Sequence, residues 1–335
     1  MNEELLQRMR GTTMAAGRPG LGFGGAPLGN LFSAIDEGTA QQTLQRAWDL
    51  GLRYYDTAPL YGHGLSEQRI GRALRVHPRD SYVLSTKVGR LLRPDARVPR
   101  EQAGYVGGLS NTAHYDYSAD GVRRSIEDSL ERMGLSRIDI VYIHDIDRHT
   151  HGNAQSQRFA EAMDGAYPAL ARLRSEGTIG AIGVGVNESD VCRDALRHGD
   201  FDCCMLAGRY TLLDQSSQAE LIPLCASRGV KLTLGGVYNS GILATGAVQG
   251  AMFHYEPAND ATLARVRRIE AVCVSFGVPL RAAALQFALD CPVAAAVVVG
   301  GRTPAEIEDS VAMARVQVPQ GLWDALRAQG LLQTS

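Results

Sequence analysis

The sequence predicts a (β/α)8 barrel, the TIM-barrel class of α/β fold, formed by a single domain over residues 1–335. Eight short segments of strand-like composition alternate with amphipathic helical segments at regular spacing, and no linker or shift in composition divides the chain. In this class of fold the active site lies at the C-terminal ends of the strands. Residues at those positions are therefore the first candidates for chemistry.

The predicted strands are short and mostly apolar, as expected for strands that are buried on both faces. The first is Gly-rich and the second is an aromatic run that ends at Asp56. The third and fourth end at Lys87 and His144. In chain order the strands are predicted at residues 21–27, 52–56, 82–88, 138–144, 179–185, 201–207, 230–235 and 295–300.

The predicted helices follow from apolar residues repeated at helical spacing and from capping signals. Ser118 and Ser189 are expected to cap two of the helices, and Thr303-Pro304 forms an N-cap and first-turn pair for another. The helices are predicted at 39–51, 66–74, 118–134, 167–177, 189–198, 215–229, 259–277, 279–290 and 303–315, with one more helix closing the chain.

Four segments show no clear period. Residues 1–20 are polar and Gly-rich and predict a small hairpin or a frayed end. Residues 89–117 and 145–165 are predicted as long irregular segments, and 235–246 as a Gly-rich loop. Loops this long in a compact domain are usually functional, and we expect substrate specificity to reside in residues 89–117, 145–165 and 235–257.

Composition excludes several classes of function. The chain has 335 residues, 45% of them hydrophobic, and a formal net charge of -2, which gives no electrostatic reason to expect nucleic acid or an anionic membrane as a partner. No apolar run is long enough to span a bilayer, and the N-terminal residues do not resemble a signal peptide. We expect a small-molecule substrate, and the sequence leaves the oligomeric state open.

Cysteine spacing and missing motifs argue against several kinds of functional site. The six cysteines form no C-x-x-C pair, which predicts buried, reduced thiols in a cytoplasmic protein. No complete dinucleotide-binding, P-loop or nucleophile-elbow motif occurs, because Pro27 stands where a G-x-G-x-x-G motif needs its last glycine. His149 and His151 lack a third ligand at metal-binding spacing, so no metal site is expected.

Four residues at or just after strand ends combine into a proton-transfer site. Asp56, Lys87 and His144 end their strands, and Tyr61 lies in the loop after Asp56. Each alone fits an ordinary role, such as a helix cap or a buried polar group. Together they predict that Asp56 orients Lys87, that the Lys87 ammonium lowers the pKa of the Tyr61 phenol, and that His144 bonds a reacting oxygen. Lys87 is one of only two lysines, with Lys231.

These residues resemble the aldo-keto reductase family over essentially the whole chain. The similarity rests on D-T-A-P-L-Y-G at 56–62, S-T-K-V at 85–88 and Y-I-H-D at 142–145. The resemblance implies hydride transfer with a nicotinamide cofactor held across the barrel mouth. It also implies that Tyr61 is the acid in reduction and the base in oxidation.

The resemblance also implies where the cofactor binds. Asn187 matches the residue that holds the carboxamide, and Gly235 stands where an aromatic residue usually stacks on the nicotinamide, with Tyr238 as the expected substitute. In the region that binds the adenosine end of the cofactor, Glu306 occupies a position where the family usually has arginine. A carboxylate there would repel a 2′-phosphate and favours NAD, whereas Arg302 could bind a 2′-phosphate and favours NADP. We expect NAD with NADP as the alternative. The predicted contacts at that end are Gly300, Arg302, Glu306 and Ser310.

Segments 207–214 and 236–243 resemble the branch of the family that contains aldose 1-dehydrogenases, for L-fucose or D-threo-aldoses, and pyridoxal 4-dehydrogenase. Substrates of this branch exist largely as cyclic hemiacetals, so the resemblance implies NAD-dependent oxidation to a lactone. Asp145 is expected either to accept a hydrogen bond from a substrate hydroxyl or to cap its loop. The alternatives are an NADPH-dependent aldehyde or ketone reductase, a Schiff-base aldolase using Lys87, and a non-enzymatic nicotinamide-binding regulatory subunit.

Overall fold

The computed structural model describes residues 1–15 and 17–333 and places eight parallel strands in a closed barrel. Each strand pairs with the next along the chain, and the last pairs with the first, which confirms the predicted fold class. The strands are β1 (Gly20–Gly24), β2 (Tyr54–Asp56), β3 (Val83–Val88), β4 (Ile140–His144), β5 (Ala181–Val186), β6 (Cys203–Ala207), β7 (Lys231–Gly235) and β8 (Ala294–Gly300).

Helices connect the strands and surround the barrel. The helices are α1 (Glu3–Arg10), α2 (Glu37–Asp49), α3 (Leu65–Leu74), α4 (Ala119–Met133), α5 (Arg148–His151), α6 (Gln155–Glu161), α7 (Tyr167–Ser175), α8 (Ser189–His198), α9 (Leu221–Arg228), α10 (Ile242–Thr245), α11 (Asp260–Ser275), α12 (Leu280–Leu289), α13 (Pro304–Met313) and α14 (Gln320–Ala328). The predicted caps Ser118 and Thr303 both accept from a backbone N–H in the first turn of their helices.

The N-terminal segment is a helix, so the predicted hairpin or frayed end is wrong. The Asn2 side chain accepts from the backbone N–H of Leu5 and caps α1. Leu5, Leu6 and Met9 are buried and belong to the cluster of side chains that fills the barrel interior. This helix therefore closes the N-terminal end of the barrel, and the functional residues have to lie at the other end.

Two of the predicted irregular segments have regular structure. Residues 89–117 contain antiparallel pairs, Arg90–Pro94 with Asn111–Tyr115 and Glu101–Gln102 with Tyr105–Val106. Most of 145–165 is helical, because α6 continues through a π-helical turn at Ala162–Ala166 into α7. A π turn shifts the angular register by one residue, which removes the periodicity that predicts helices.

Smaller differences concern helix starts. Ser189 is the first residue of α8 and not its cap; Glu188 precedes it, and the Glu188 carboxylate accepts instead from backbone N–H groups at the start of α5. The helix predicted at 215–229 begins only at Leu221, because 216–220 form turns. The Gly-rich loop after β7 contains the short helix α10.

Strand register brings the candidate residues together. Asp56 pairs with Ser85 across β2 and β3, Lys87 pairs with Tyr142 across β3 and β4, and His144 ends β4. Because side chains alternate along a strand, Asp56 and Lys87 point into the barrel mouth directly above Tyr54 and Ser85, which lie two residues earlier.

Within the described chain no single helix is long and apolar enough to cross a membrane. The helices α11 and α12 meet that criterion only as a pair, which is bent by 94°.

Candidate active site

Lys87 and Asp56 form a buried ion pair at the barrel mouth. Lys87 Nζ donates to Asp56 Oδ2 at 2.7 Å and to the backbone oxygen of Thr57 at 2.8 Å. Their side chains are only 2% and 3% exposed. Burial raises the pKa of Asp56, although the Lys87 ammonium and a hydrogen bond from Ser85 oppose this. The ammonium is therefore held in one position by two acceptors.

Tyr61 lies over this pair in the short turn Tyr61–Gly64, where its ring centroid is 4.6 Å from Lys87 Nζ. The turn packs tightly, since a Cβ at Gly62 would lie 2.5 Å from the backbone oxygen of Gly29. Among the described residues none forms a hydrogen bond with the Tyr61 hydroxyl.

The pKa of Tyr61 does not shift in the predicted direction. Burial, followed by the carboxylate of Asp56, raises the pKa of the phenol well above its ordinary value. The predicted lowering of the Tyr61 pKa is therefore wrong. The Lys87 ammonium lies over the ring face and is shared with Asp56, so burial remains the dominant effect.

His144 is held by a residue that the sequence analysis missed. Arg90 Nη1 donates to His144 Nδ1 at 3.1 Å, and Arg90 Nη2 lies 2.8 Å from Asp145 Oδ2. A guanidinium has no acceptor, so Nδ1 must be unprotonated and the neutral ring has its hydrogen on Nε2. Burial, then Arg90 and Lys87, lowers the pKa of His144 well below its ordinary value. His144 is thus a neutral hydrogen-bond donor through Nε2.

The structure places the Asp145 carboxylate in a buried ion pair. Its side chain is 11% exposed and is paired with Arg90, and its Oδ2 lies 3.4 Å from His144 Nε2. Burial raises the pKa of Asp145, with Arg90 opposing. The arrangement couples the charge of Asp145 to the orientation of the histidine.

Two cavities meet at Tyr61. One, of about 450 Å³, is lined by Lys87, His144 and Asp145, and the other is a groove of about 730 Å³ that passes Asp56. Tyr61 lines both, so a small molecule in the first cavity and a larger one in the groove would each lie against this residue. This geometry brings together all four residues predicted to form the proton-transfer site.

Most of the predicted cofactor contacts line the groove. It runs from Tyr61 to the N-terminal end of α13. Asn187 lines the 450 Å³ cavity and a smaller neighbouring one of about 270 Å³, and not the groove itself. The predicted residues in the groove are Gly235, Tyr238, Gly300, Arg302, Glu306 and Ser310.

The charged side chains at the far end of the groove form hydrogen bonds or ion pairs within the protein. The Arg302 guanidinium donates to the backbone oxygens of Leu31 at 3.1 Å and Ser33 at 3.0 Å. Glu306 Oε2 accepts from the backbone N–H of Arg302 at 2.8 Å. Arg281 Nε lies 2.7 Å from Asp309 Oδ2. Among the described lining residues, each basic side chain therefore already has an oxygen partner.

Tyr255 is a second residue that the sequence analysis missed. It lies in the turn of a hairpin formed by Met252–Phe253 and Glu256–Pro257, with φ of 67°, and lines both cavities that meet at Tyr61. Its hydroxyl is 3.4 Å from Asn187 Oδ1. No Asn-Gly signal marks this turn, so sequence patterns could not indicate it.

The cysteines are all free and buried, as predicted. No group of three or more potential metal ligands lies together in residues 1–15 and 17–333.

Comparisons with known proteins identify the family of the chain. Residues 20–329 match the aldo/keto reductase family. The chain is 42% identical to D-threo-aldose 1-dehydrogenase from Pseudomonas sp over 325 residues, covering 94% of this chain and 95% of that protein. It is 40% identical to pyridoxal 4-dehydrogenase from Microbacterium luteolum over 333 residues, covering 95% and 97%.

The fold has solved counterparts. The holo form of aldo-keto reductase AKR11C1 from Bacillus halodurans superposes with a TM-score of 0.71 over 94% of this chain and 92% of that one, at 23% identity. Members of the family bind NAD or NADP. The chain is an oxidoreductase that acts on CH–OH groups and belongs to the aldo-keto reductase family.

Proposed function

We propose that the protein oxidises a cyclic hemiacetal, such as an aldose or pyridoxal, to its lactone with NAD. The meeting of two cavities at Tyr61 is the observation that supports this most directly. A small substrate in one cavity and an extended cofactor in the groove would both reach the phenol. The relatives named for D-threo-aldose and pyridoxal supply the substrate class.

The groove suits a nicotinamide dinucleotide. Its wall includes Gly235, where a Cβ would come no closer than 3.5 Å to another atom, and Gly241, where a Cβ would meet nothing within 4 Å. Open space above glycines leaves room for a planar ring and for close approach of phosphates. The bound cofactor supplies the hydride acceptor, and the protein groups supply orientation and the proton path.

The side chains have separate roles in the proposed reaction. His144 donates from Nε2 to the substrate oxygen and orients it toward Tyr61. Tyr61, in its phenolate form, would take the proton from the anomeric hydroxyl while the same carbon loses a hydride to the nicotinamide, so that the C–O bond becomes a carbonyl. Lys87, fixed by Asp56, stabilises the phenolate form of Tyr61. Each role uses a contact or a cavity position described above.

The charges at the far end of the groove support the proposed preference for NAD. A 2′-phosphate needs free basic groups. Arg302 already donates to backbone oxygens, and Arg281 lies against Asp309. Glu306 adds a carboxylate that would repel a phosphate. The structure of this end therefore supports NAD.

The alternatives are less well supported. A Schiff-base aldolase needs an unprotonated lysine free to attack, whereas Lys87 Nζ donates to two oxygens. A purely regulatory subunit would not need the orientation of His144 by Arg90. NADPH-dependent reduction remains the alternative to test. We also propose a cytoplasmic location, because the six cysteines are free thiols.

The test is absorbance of NADH with NAD or NADP against L-fucose, D-arabinose, L-galactose and pyridoxal, for the wild type and Tyr61→Phe. We expect NADH formation from at least one substrate and its loss in Tyr61→Phe. Because the phenol pKa is high, the rate should rise by about tenfold per pH unit in the neutral range. No turnover with any of them, or equal turnover with NADP, would count against the proposal.

The product separates two mechanisms. Lactone as the first product, detected before it hydrolyses, supports oxidation of the cyclic form. Free acid as the sole product, even at the earliest times, would instead mean that the open aldehyde reacts.

A further inference from the structure

A chain of hydroxyl groups runs through the barrel interior and ends on the carboxylate of Asp56. Ser85 Oγ lies 2.7 Å from Asp56 Oδ1, and Tyr54 OH lies 2.9 Å from Ser85 Oγ. Tyr142 OH lies 3.3 Å from Tyr54 OH and 3.1 Å from Thr233 Oγ1. All are buried in a region that barrels of this class fill with apolar side chains.

The carboxylate fixes the direction of the chain. An ionised Asp56 can only accept, so Ser85 must donate its single hydrogen to it. Ser85 then accepts from Tyr54, which accepts from Tyr142, which accepts from Thr233. Every O–H dipole therefore points along the chain toward Asp56. Hydrogen bonds aligned in this way polarise one another in a low-dielectric interior.

We propose that Tyr54 and Ser85 are positioning residues that keep Asp56 ionised and thereby hold Lys87 beneath Tyr61. The consequence for catalysis rests on the proposed function, but the effect on Asp56 does not. On the Oδ1 side of the carboxylate, the Ser85 hydroxyl is the donor that opposes the effect of burial, and the chain behind it polarises this donor. On the other side the Lys87 ammonium opposes the effect of burial.

The surroundings of Asp56 contain few other charges. Lys87 is the cation beside it, and the phenols of Tyr54 and Tyr61 are the other titratable groups on which its charge acts. Burial raises the pKa of both phenols, so in the acid range where Asp56 titrates both are neutral and act as dipoles. Burial favours the protonated form of Asp56 and Lys87 favours the ionised form. A change in the hydroxyl chain should therefore shift the protonation of Asp56 while leaving the ion pair in place.

Neighbouring tyrosines in β2 give a matched pair of variants. Tyr54 and Tyr55 are both fully buried, but Tyr55 points to the other face of the strand and its hydroxyl donates to the backbone oxygen of Leu52 at 3.2 Å. Tyr54→Phe and Tyr55→Phe each remove one buried phenolic hydroxyl. Only the first interrupts the chain to Asp56.

The experiment is a pH titration of protein labelled with ¹³C in the aspartate carboxyl groups, followed by NMR without cofactor or substrate. The Asp56 signal is the one absent in Asp56→Asn. We expect Tyr54→Phe to raise the pKa of Asp56 by about half a unit and Ser85→Ala by about one unit or more, with no change in Tyr55→Phe. Thr233→Val, at the far end of the chain, should give a smaller shift in the same direction.

Three outcomes would overturn the proposal: an unchanged Asp56 titration in Tyr54→Phe and Ser85→Ala, an equal shift in Tyr55→Phe, or a carboxylate that stays ionised to the acid limit of folding in every variant. If Tyr54→Phe does not fold, Ser85→Ala and Thr233→Val decide. A shifted titration in a protein that turns over none of the tested substrates would overturn the proposed function alone. With turnover, Tyr54→Phe should move the acid limb of the rate to higher pH.

Discussion

Replacing Arg90 by methionine should destabilise the protein by about 3–5 kcal/mol, because it leaves a buried carboxylate without its counter-ion. The Arg90 and Asp145 side chains are 6% and 11% exposed, and their closest atoms are 2.8 Å apart. Asp145→Leu should cost a similar amount, since it leaves the guanidinium unpaired. The double variant removes both charges and should lie within about 2 kcal/mol of the wild type.

Urea unfolding followed by circular dichroism measures these differences, provided that the slope with denaturant is the same in all variants. Arg97→Met is the control, because Arg97 is 91% exposed where it meets Asp95, and its unfolding midpoint should not move. If the loss in the double variant equals the sum of the losses in the single ones, the pair is not coupled and the reasoning is wrong.

The same substitution tests the orientation of His144. Arg90 is the second largest cause, after burial, that lowers the pKa of His144. Arg90→Met should therefore raise the pKa of His144 and allow its neutral ring to take either tautomer. Nitrogen NMR of labelled histidine reports both changes. An unchanged pKa together with an unchanged Nε2–H tautomer would show that Arg90 does not orient the ring.

Three further predictions follow from single residues. Glu306→Gln keeps an acceptor for the backbone N–H of Arg302 but removes a charge, so the ratio of kcat/KM for NAD to that for NADP should fall by about tenfold; an unchanged ratio would contradict the charge argument. Burial lowers the pKa of His63, so the free energy of unfolding should fall as the pH drops below about 6.5. His63→Asn should make this fall shallower, whereas His114→Asn, at an exposed histidine, should leave it unchanged. Tyr255→Gly should relieve the positive φ and leave the unfolding free energy equal or higher, yet raise KM for the substrate; an unchanged KM would exclude contact with the ring.

The sequence could predict those features that depend on a pattern in consecutive residues. Strand ends are local, because apolar runs stop at Asp56, Lys87 and His144, and parallel strands place their ends on one side of the barrel. Lys87 is followed by one more strand residue, Val88, which changes nothing at the site. The fold class and the cluster of candidate residues followed from these signals alone.

The contact between Arg90 and His144 depends on geometry that no pattern records. Gly89 has φ of 108° and turns the chain between β3 and the hairpin that begins at Arg90. That turn directs the guanidinium back over the barrel mouth. The direction of the Tyr61 pKa shift was wrong for a related reason, because burial of the phenol depends on cavity shape and not on the identity of neighbouring residues.

The charges around the two cavities indicate the kind of molecule that fits. In the substrate cavity Lys87 pairs with Asp56 and Arg90 with Asp145, while His144 is neutral. Both pairs are internally compensated, so a substrate with its own carboxylate or phosphate would find no free cation among the described lining residues. A neutral polyol or a pyridine aldehyde needs none, because its hydroxyls can accept from His144 and donate to Asp145. The same compensation at the far end of the groove favours a cofactor without a 2′-phosphate, so one principle of charge balance links the proposed substrate class with the proposed preference for NAD.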